Sequence, residues 1–92
     1  MMKSYALTYD LQSPGQKYAK IADTIASWNC SHIKPLESFW LIKTDMTAAQ
    51  MKDTLKQQAL DDNDLIFITE IGPDHAGWLY TKSWEFIENE IY

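Results

Sequence analysis

The order in which strand-like and helix-like patterns alternate limits the fold of this chain more than any other feature. Runs of β-branched, aromatic or continuously apolar residues, bounded by turn residues, predict four strands, at residues 3–10, 32–37, 39–44 and 65–71. A helical pattern follows the first and the third of them, so the order is βαββαβ. Because crossover connections are right-handed, both helices should lie on one face of the sheet. This predicts an α+β, ferredoxin-like sandwich with a four-stranded antiparallel sheet.

Each predicted helix begins at a capping box. In the first box, Ser13 is the N-cap, Pro14 takes the first helical position and Gln16 supplies the reciprocal side chain. The second box consists of Thr47 and Gln50. We expect the two helices to end near residues 28–29 and 60. The stripes expected to be buried are Tyr18, Ile21, Ala22, Ile25 and Trp28 in the first helix and Met51, Leu55 and Ala59 in the second. The residues expected mostly to face water on the first helix are Lys17, Lys20, Asp23 and Thr24.

The remaining strands differ in how strongly they are apolar. Residues 65–71 carry apolar side chains on both faces, which predicts a central position in the sheet. Residues 32–37 and 39–44 are expected to form a hairpin or a bulged pair around Glu37 and Ser38. The second of these segments begins with four apolar residues, which argues against an exposed edge strand.

At 92 residues the chain is long enough for one domain and too short for two cores. We expect a core at residues 3–72 and a C-terminal extension at 73–92. The extension predicts a short strand at 77–80 and a helix at 83–91 with Ser83 as its N-cap. Four of its aromatic residues should pack on the sheet or on a partner subunit, and these are Trp78, Tyr80, Trp84 and Tyr92.

Charge and hydropathy limit the partners. The net charge is −5, and all eight basic residues are lysine, which counts against tight nucleic-acid binding because arginine forks are absent. A local basic patch could still be formed by Lys17, Lys20, Lys34 and Lys43. No apolar run approaches the roughly 20 residues of a membrane span, and the N-terminus lacks the apolar stretch of a signal peptide. We therefore expect a cytoplasmic protein without a membrane partner.

The main candidate for chemistry is Asp10, a carboxylate at the end of the first strand and before a loop. On the residues alone, a turn role in which Asp10 bonds the backbone ahead is favoured over a functional one. His32 and His75 have no metal-binding spacing, and both are expected to be ordinary surface or hydrogen-bonding residues. The run from Asp61 to Asp64 lacks the glycine and distal glutamate of an EF-hand and predicts a solvated turn.

Three stretches of the chain resemble the small CRISPR-associated Cas-two family and its VapD-like toxin relatives. They are residues 4–10, with Tyr-Asp at the end of strand one, residues 37–42, where a Ser-Phe-Trp stretch begins strand three, and residues 64–68. The resemblance is strongest to the uncharacterised SinR-like branch, which is similar in the Ser-Tyr-x-x-x-Tyr-Asp-Leu start and in the Pro-Gly-x-x-Tyr start of the helix. It is also similar in the Asn-Asp-x-Leu-x-x-x-Glu last strand, where this chain has Ile66 at the Leu position.

The resemblance implies a ferredoxin-like homodimer in which the two strand-one aspartates approach one another and hold a divalent metal for phosphodiester hydrolysis. Only Asp10 maps onto that role. Mg²⁺ prefers oxygen ligands and keeps several waters, so one carboxylate per subunit suffices when a dimer supplies the second. Lys17 and Lys20, on the helix that follows, are then the candidate phosphate contacts.

Two hypotheses for function follow. The first is a small cytoplasmic, dimeric interaction module of Cas-two-like fold, linked to nucleic-acid metabolism or defence, with a protein partner and no certain cofactor. The second is a metal-dependent nuclease or toxin-type ribonuclease that uses paired Asp10 residues and Mg²⁺. The acidic balance, the absence of arginine and the aromatic tail favour the first.

Overall fold

The computed structural model describes residues 1–12, 15 and 17–92. Its elements follow the predicted order. The strands are β1 (Lys3–Asp10), β2 (Ser31–Leu36), β3 (Phe39–Thr44) and β4 (Leu65–Glu70), and the helices are α1 (Lys17–Ser27), α2 (Ala48–Gln58) and α3 (Thr81–Phe86), which continues as a π-helical turn (Ile87–Ile91). The α+β class is therefore confirmed.

The four strands form one antiparallel sheet in the order β2-β3-β1-β4. This arrangement is compatible with a ferredoxin-like fold. The hairpin predicted around Glu37 and Ser38 is present, with Ser38 at a φ of 54° and a register shift between Ile33 and Leu36. Strand β3 lies inside the sheet, as its apolar start predicts.

The two faces of the sheet are covered differently. Leu7 of β1 packs with Ile25 of α1 and Leu55 of α2, so both of these helices lie on one face, as predicted. The opposite face carries a second cluster in which Leu41 of β3 packs against Ile87 and Ile91 of the C-terminal turn. All six side chains are at most 9% exposed. The C-terminal segment thus covers part of the face that α1 and α2 leave open.

The predicted central position of β4 was wrong. This strand lies at the edge of the sheet, beside β1. Ile66 and Ile68 pack on the main core, whereas Leu65 and Phe67 point to the other face and are 61% and 65% exposed. The C-terminal turn contacts β2 and β3, so the second face of β4 stays uncovered.

The predicted N-terminus of α2 was confirmed, whereas two predictions of burial in α1 were wrong. The Thr47–Gln50 capping box is present, with reciprocal bonds of 2.9 and 3.1 Å. The first box, at Ser13, Pro14 and Gln16, lies outside the described residues. Thr24 is buried rather than facing water, because its hydroxyl donates to the Lys20 carbonyl at 2.7 Å and so needs no water. Tyr18, predicted to be buried, is 45% exposed, since α1 turns Ile21 and Ile25 towards the core.

The C-terminal extension also differs from its prediction. Residues 77–80, all of which the structure describes, form no strand. Tyr80, and not Ser83, is the residue before the helix, and its side chain makes no capping bond. Trp84 packs on the sheet, whereas Trp78 and Tyr80 are 98% and 85% exposed. In the described ranges 1–12, 15 and 17–92, no helix has the length and apolar character needed to span a membrane.

Candidate functional site

Asp10 lies at the end of β1 on the sheet face that faces away from α1 and α2. Its side chain is exposed, and its Cα is opposite that of Leu65 in the β1–β4 ladder. Thr8, two residues earlier, is exposed on the same face and is opposite Phe67. We call these four residues, Thr8, Asp10, Leu65 and Phe67, the β1–β4 patch. It combines one carboxylate with two large apolar side chains and lines a shallow depression.

A polar cluster holds the loop next to this patch. The Lys17 ammonium contacts the carboxylates of Asp61 and Asp64 at 2.7 and 2.8 Å. Asp64 also accepts the backbone N–H groups of Gln12 at 3.1 Å and of Asp61 at 3.0 Å. These bonds connect the segment after β1 to the turn before β4. The start of β4 is thereby fixed beside the end of β1.

Asp64 is the residue of this region that the sequence analysis missed. The turn was predicted to be solvated, and Asp61 is indeed exposed, but Asp64 is only 5% exposed. The Lys17 ammonium and the two backbone donors lower the pKa of Asp64 to about 2. Its position directly before β4, whose first residue pairs with Asp10, was the available signal.

The two candidate phosphate contacts have different surroundings. The Lys17 ammonium is shared between two carboxylates, and their hydrogen bonds, first that of Asp61 and then that of Asp64, raise the pKa of Lys17. The two carboxylates therefore outweigh the single positive charge of Lys17, and the cluster carries a net negative charge. Lys20 lies one turn further along α1 and is exposed.

The residues near Asp10 do not by themselves make a metal site. Within the part of the chain that the structure describes, no group of three or more histidine, cysteine, aspartate or glutamate side chains could hold a metal ion. Asp64, which directly precedes the residue that pairs with Asp10, is bonded to Lys17. A Mg²⁺ ion at Asp10 therefore needs oxygen ligands from a second copy of the chain or from a substrate.

A second concave site lies on the same sheet face, under the C-terminal segment. It is a groove of about 450 Å³ with Ala6, Phe39 and Leu41 of the sheet along one side and Trp84 and Tyr92 along the other. We call it the aromatic groove. It was not predicted from the sequence, because it forms only when residues 71–79 and the C-terminal helix fold back over β3.

His75 connects the loop above this groove to the C-terminal turn. Its Nδ1–H donates to the carbonyl of Pro73 at 2.6 Å and its Nε2–H to the carboxylate of Glu88 at 3.1 Å. The ring stacks on Tyr92 with centroids 4.3 Å apart and planes 5° apart. Both partner atoms are acceptors, so both contacts require the imidazolium form. The bond to Glu88, followed by that to Pro73, raises the pKa of His75.

Comparison with known proteins does not assign the chain to a family. No family model matches the sequence, and no curated protein matches it significantly.

Proposed function

We propose that the chain is a homodimeric interaction module of ferredoxin-like fold, whose two copies meet through the β1–β4 patch. The resemblance to the Cas-two and SinR-like proteins motivates the dimer and a cytoplasmic role linked to nucleic-acid metabolism or defence. The observation that carries the proposal is the exposure of Leu65 and Phe67, at 61% and 65%, on an edge strand. Neighbouring apolar side chains exposed on a rigid sheet are a common feature of association surfaces.

The patch is suited to a two-fold interface. In a symmetric dimer the same patch on each subunit contacts its copy, so one set of residues must be complementary to itself. The β1–β4 patch, with two exposed apolar side chains on one sheet face, is compatible with this requirement. The edge of β4 adds backbone groups that no strand of the described chain pairs, and such edges tend to pair with another chain unless they are protected. Burial of Leu65 and Phe67 would thus stabilise the association.

The charges favour a module over a strong phosphodiesterase. Lys17, the lysine that follows Asp10 most closely along the chain, is bonded to Asp61 and Asp64 and so offers little attraction to a phosphate. The net charge of −5 repels a polyanion. The polar cluster of Lys17, Asp61 and Asp64 has a positioning role instead, since it fixes Asp10 and Leu65 at the same end of the sheet.

The proposal is tested by placing a charge in the patch and measuring the mass in solution. Leu65→Asp should convert a dimer into a monomer in sedimentation equilibrium and light scattering. Leu36→Asp is the matched control, because Leu36 is also an exposed leucine, at 54%, but lies on the opposite edge strand β2. Both substitutions lose similar strand propensity, so a folding defect would affect both. A monomeric parent protein, or dissociation by both variants alike, contradicts the proposal.

A second candidate function is metal-dependent cleavage of RNA or DNA by paired Asp10 residues. The observation that favours it is that Asp10 belongs to the β1–β4 patch, so the same dimer would bring the two carboxylates into one interface. Cleavage of RNA and DNA with Mg²⁺ or Mn²⁺ should then be lost in Asp10→Asn and in monomeric Leu65→Asp, and retained in Asp23→Asn, which changes an exposed aspartate of α1. Absence of cleavage in the parent dimer, or equal cleavage by Asp10→Asn, rejects it.

A further inference from the structure

The aromatic groove has the size and walls of a site for a small organic ligand. Its volume of about 450 Å³ lies in the range that such pockets commonly show. Phe39, Trp84 and Tyr92 line it, and Trp78 stands at its rim, 98% exposed. The side chain of Trp78 makes no contribution to the core at that exposure. It is therefore available to a ligand without any rearrangement of the fold.

The ionisable side chains at the groove leave a net negative charge. Among the described residues that line it, only Asp74 and His75 are ionisable apart from the Tyr92 phenol, and no lysine is among them. The His75 ring is committed to Pro73 and Glu88 and is balanced by the Glu88 carboxylate. Asp74 is exposed and forms no ion pair with any residue that the structure describes. The unbalanced charge of the groove is therefore negative.

Aromatic faces and a carboxylate together recognise a cation. The electron-rich face of an indole or phenol attracts ammonium groups, and an adjacent carboxylate adds a direct Coulomb attraction. The apolar floor of Ala6, Phe39 and Leu41 suits a hydrocarbon or aromatic body. An anionic ligand would face Asp74, and the cation in the described lining, the His75 ring, is already bonded to Glu88.

We propose that the aromatic groove binds a small organic cation that has an apolar body, with the ammonium group between Trp78 and Asp74 and the body on Phe39 and Leu41. This site is separate from the β1–β4 patch, which lies at the other side of the same sheet face. Its occupancy requires neither a dimer nor a metal ion. The two proposals can therefore fail independently.

The test compares three probes of similar shape and different charge on the full chain. They are phenethyltrimethylammonium, neutral 2-phenylethanol and anionic 3-phenylpropionate, and binding is measured by calorimetry and by NMR shifts of the tryptophan indole N–H signals. The cation should bind most tightly and shift the signals of Trp78 and Trp84. Trp78→Ala and Asp74→Asn should each weaken cation binding about two- to fivefold, the effect of an exposed cation–aromatic or single-charge contact. Asp23→Asn, on the opposite side of the molecule, should leave it unchanged.

Three outcomes overturn the proposal. The first is binding of the carboxylate probe as tightly as the cation, or of none of the three. The second is cation binding that neither Trp78→Ala nor Asp74→Asn weakens. The third is a dimer that Trp78→Ala dissociates, which would show that the groove is an interface between copies of the chain. Because Trp78 is almost fully exposed, loss of folding in Trp78→Ala is not expected, and circular dichroism checks it.

Discussion

Replacing Ile91 by alanine tests whether the C-terminal helix is an integral part of the fold. Ile91 is fully buried against Leu41 of the sheet, and the Ser4 hydroxyl donates to its backbone carbonyl at 2.5 Å. The substitution leaves that bond in place and removes only side-chain packing. It therefore isolates the apolar contribution of the last helical turn.

The expected cost follows from the atoms removed. Three buried carbon atoms contribute about 2.4 kcal/mol at roughly 0.8 kcal/mol each. A residual cavity adds to this, and measured Ile→Ala costs in cores run from about 2 to 5 kcal/mol. Ile91 lies at the end of a helix that can settle towards the sheet, so we expect about 3 kcal/mol. For a domain of this size that corresponds to a fall in the melting temperature of about 15 °C.

The assay is urea unfolding followed by tryptophan fluorescence and by far-ultraviolet circular dichroism. The matched comparison is Ile25→Ala, which removes the same atoms from a fully buried position in the other core cluster. Both variants should lower the unfolding midpoint with coincident transitions by the two probes. A loss below about 0.5 kcal/mol for Ile91→Ala, beside a normal loss for Ile25→Ala, would refute the reasoning, because Ile91 packing would then add little to stability.

Two further predictions concern pH. The stability that the His75–Glu88 contact contributes should be fully present below pH 6.5 and be lost as pH rises through the elevated pKa of His75. In an NMR titration with the signals of His32 as reference, Glu88→Gln should lower the pKa of His75. An unchanged His75 titration curve would contradict the contact with Glu88. The contribution of the Asp64 carboxylate to stability should be present above pH 3.8 and be lost as pH falls towards about 2. Asp64→Asn should therefore flatten the dependence of the unfolding free energy on pH in this window. An unchanged slope would argue against the bonds of Asp64 to Lys17, Gln12 and Asp61.

The features that the sequence predicts correctly are local. The capping box of α2 needs only Thr47 and Gln50, three residues apart, and the hairpin needs only a short turn between two extended segments. These features depend on residues within one or two turns of each other, so they can be recognised before any tertiary contact is known.

The features that the sequence did not predict depend on contacts between distant segments. Asp64 is buried because it bonds Lys17, 47 residues away along the chain, and Gln12, 52 residues away. The same limit applies to His75 and Glu88, which meet only after the loop folds back over the C-terminal turn. Sequence separation of this size leaves no periodic signal that links the partners.

By itself the sequence determined the order of strands and helices and the presence of a carboxylate at the end of β1, because periodicity and capping encode these locally. The face shared by α1 and α2 follows from that order, because crossover connections are right-handed. Only the tertiary structure decided that β4 is an edge strand. Its two apolar faces were both available for burial, but the C-terminal turn covers β2 and β3 instead. That choice leaves Leu65 and Phe67 exposed beside Asp10 and forms the aromatic groove at the other side of the same face.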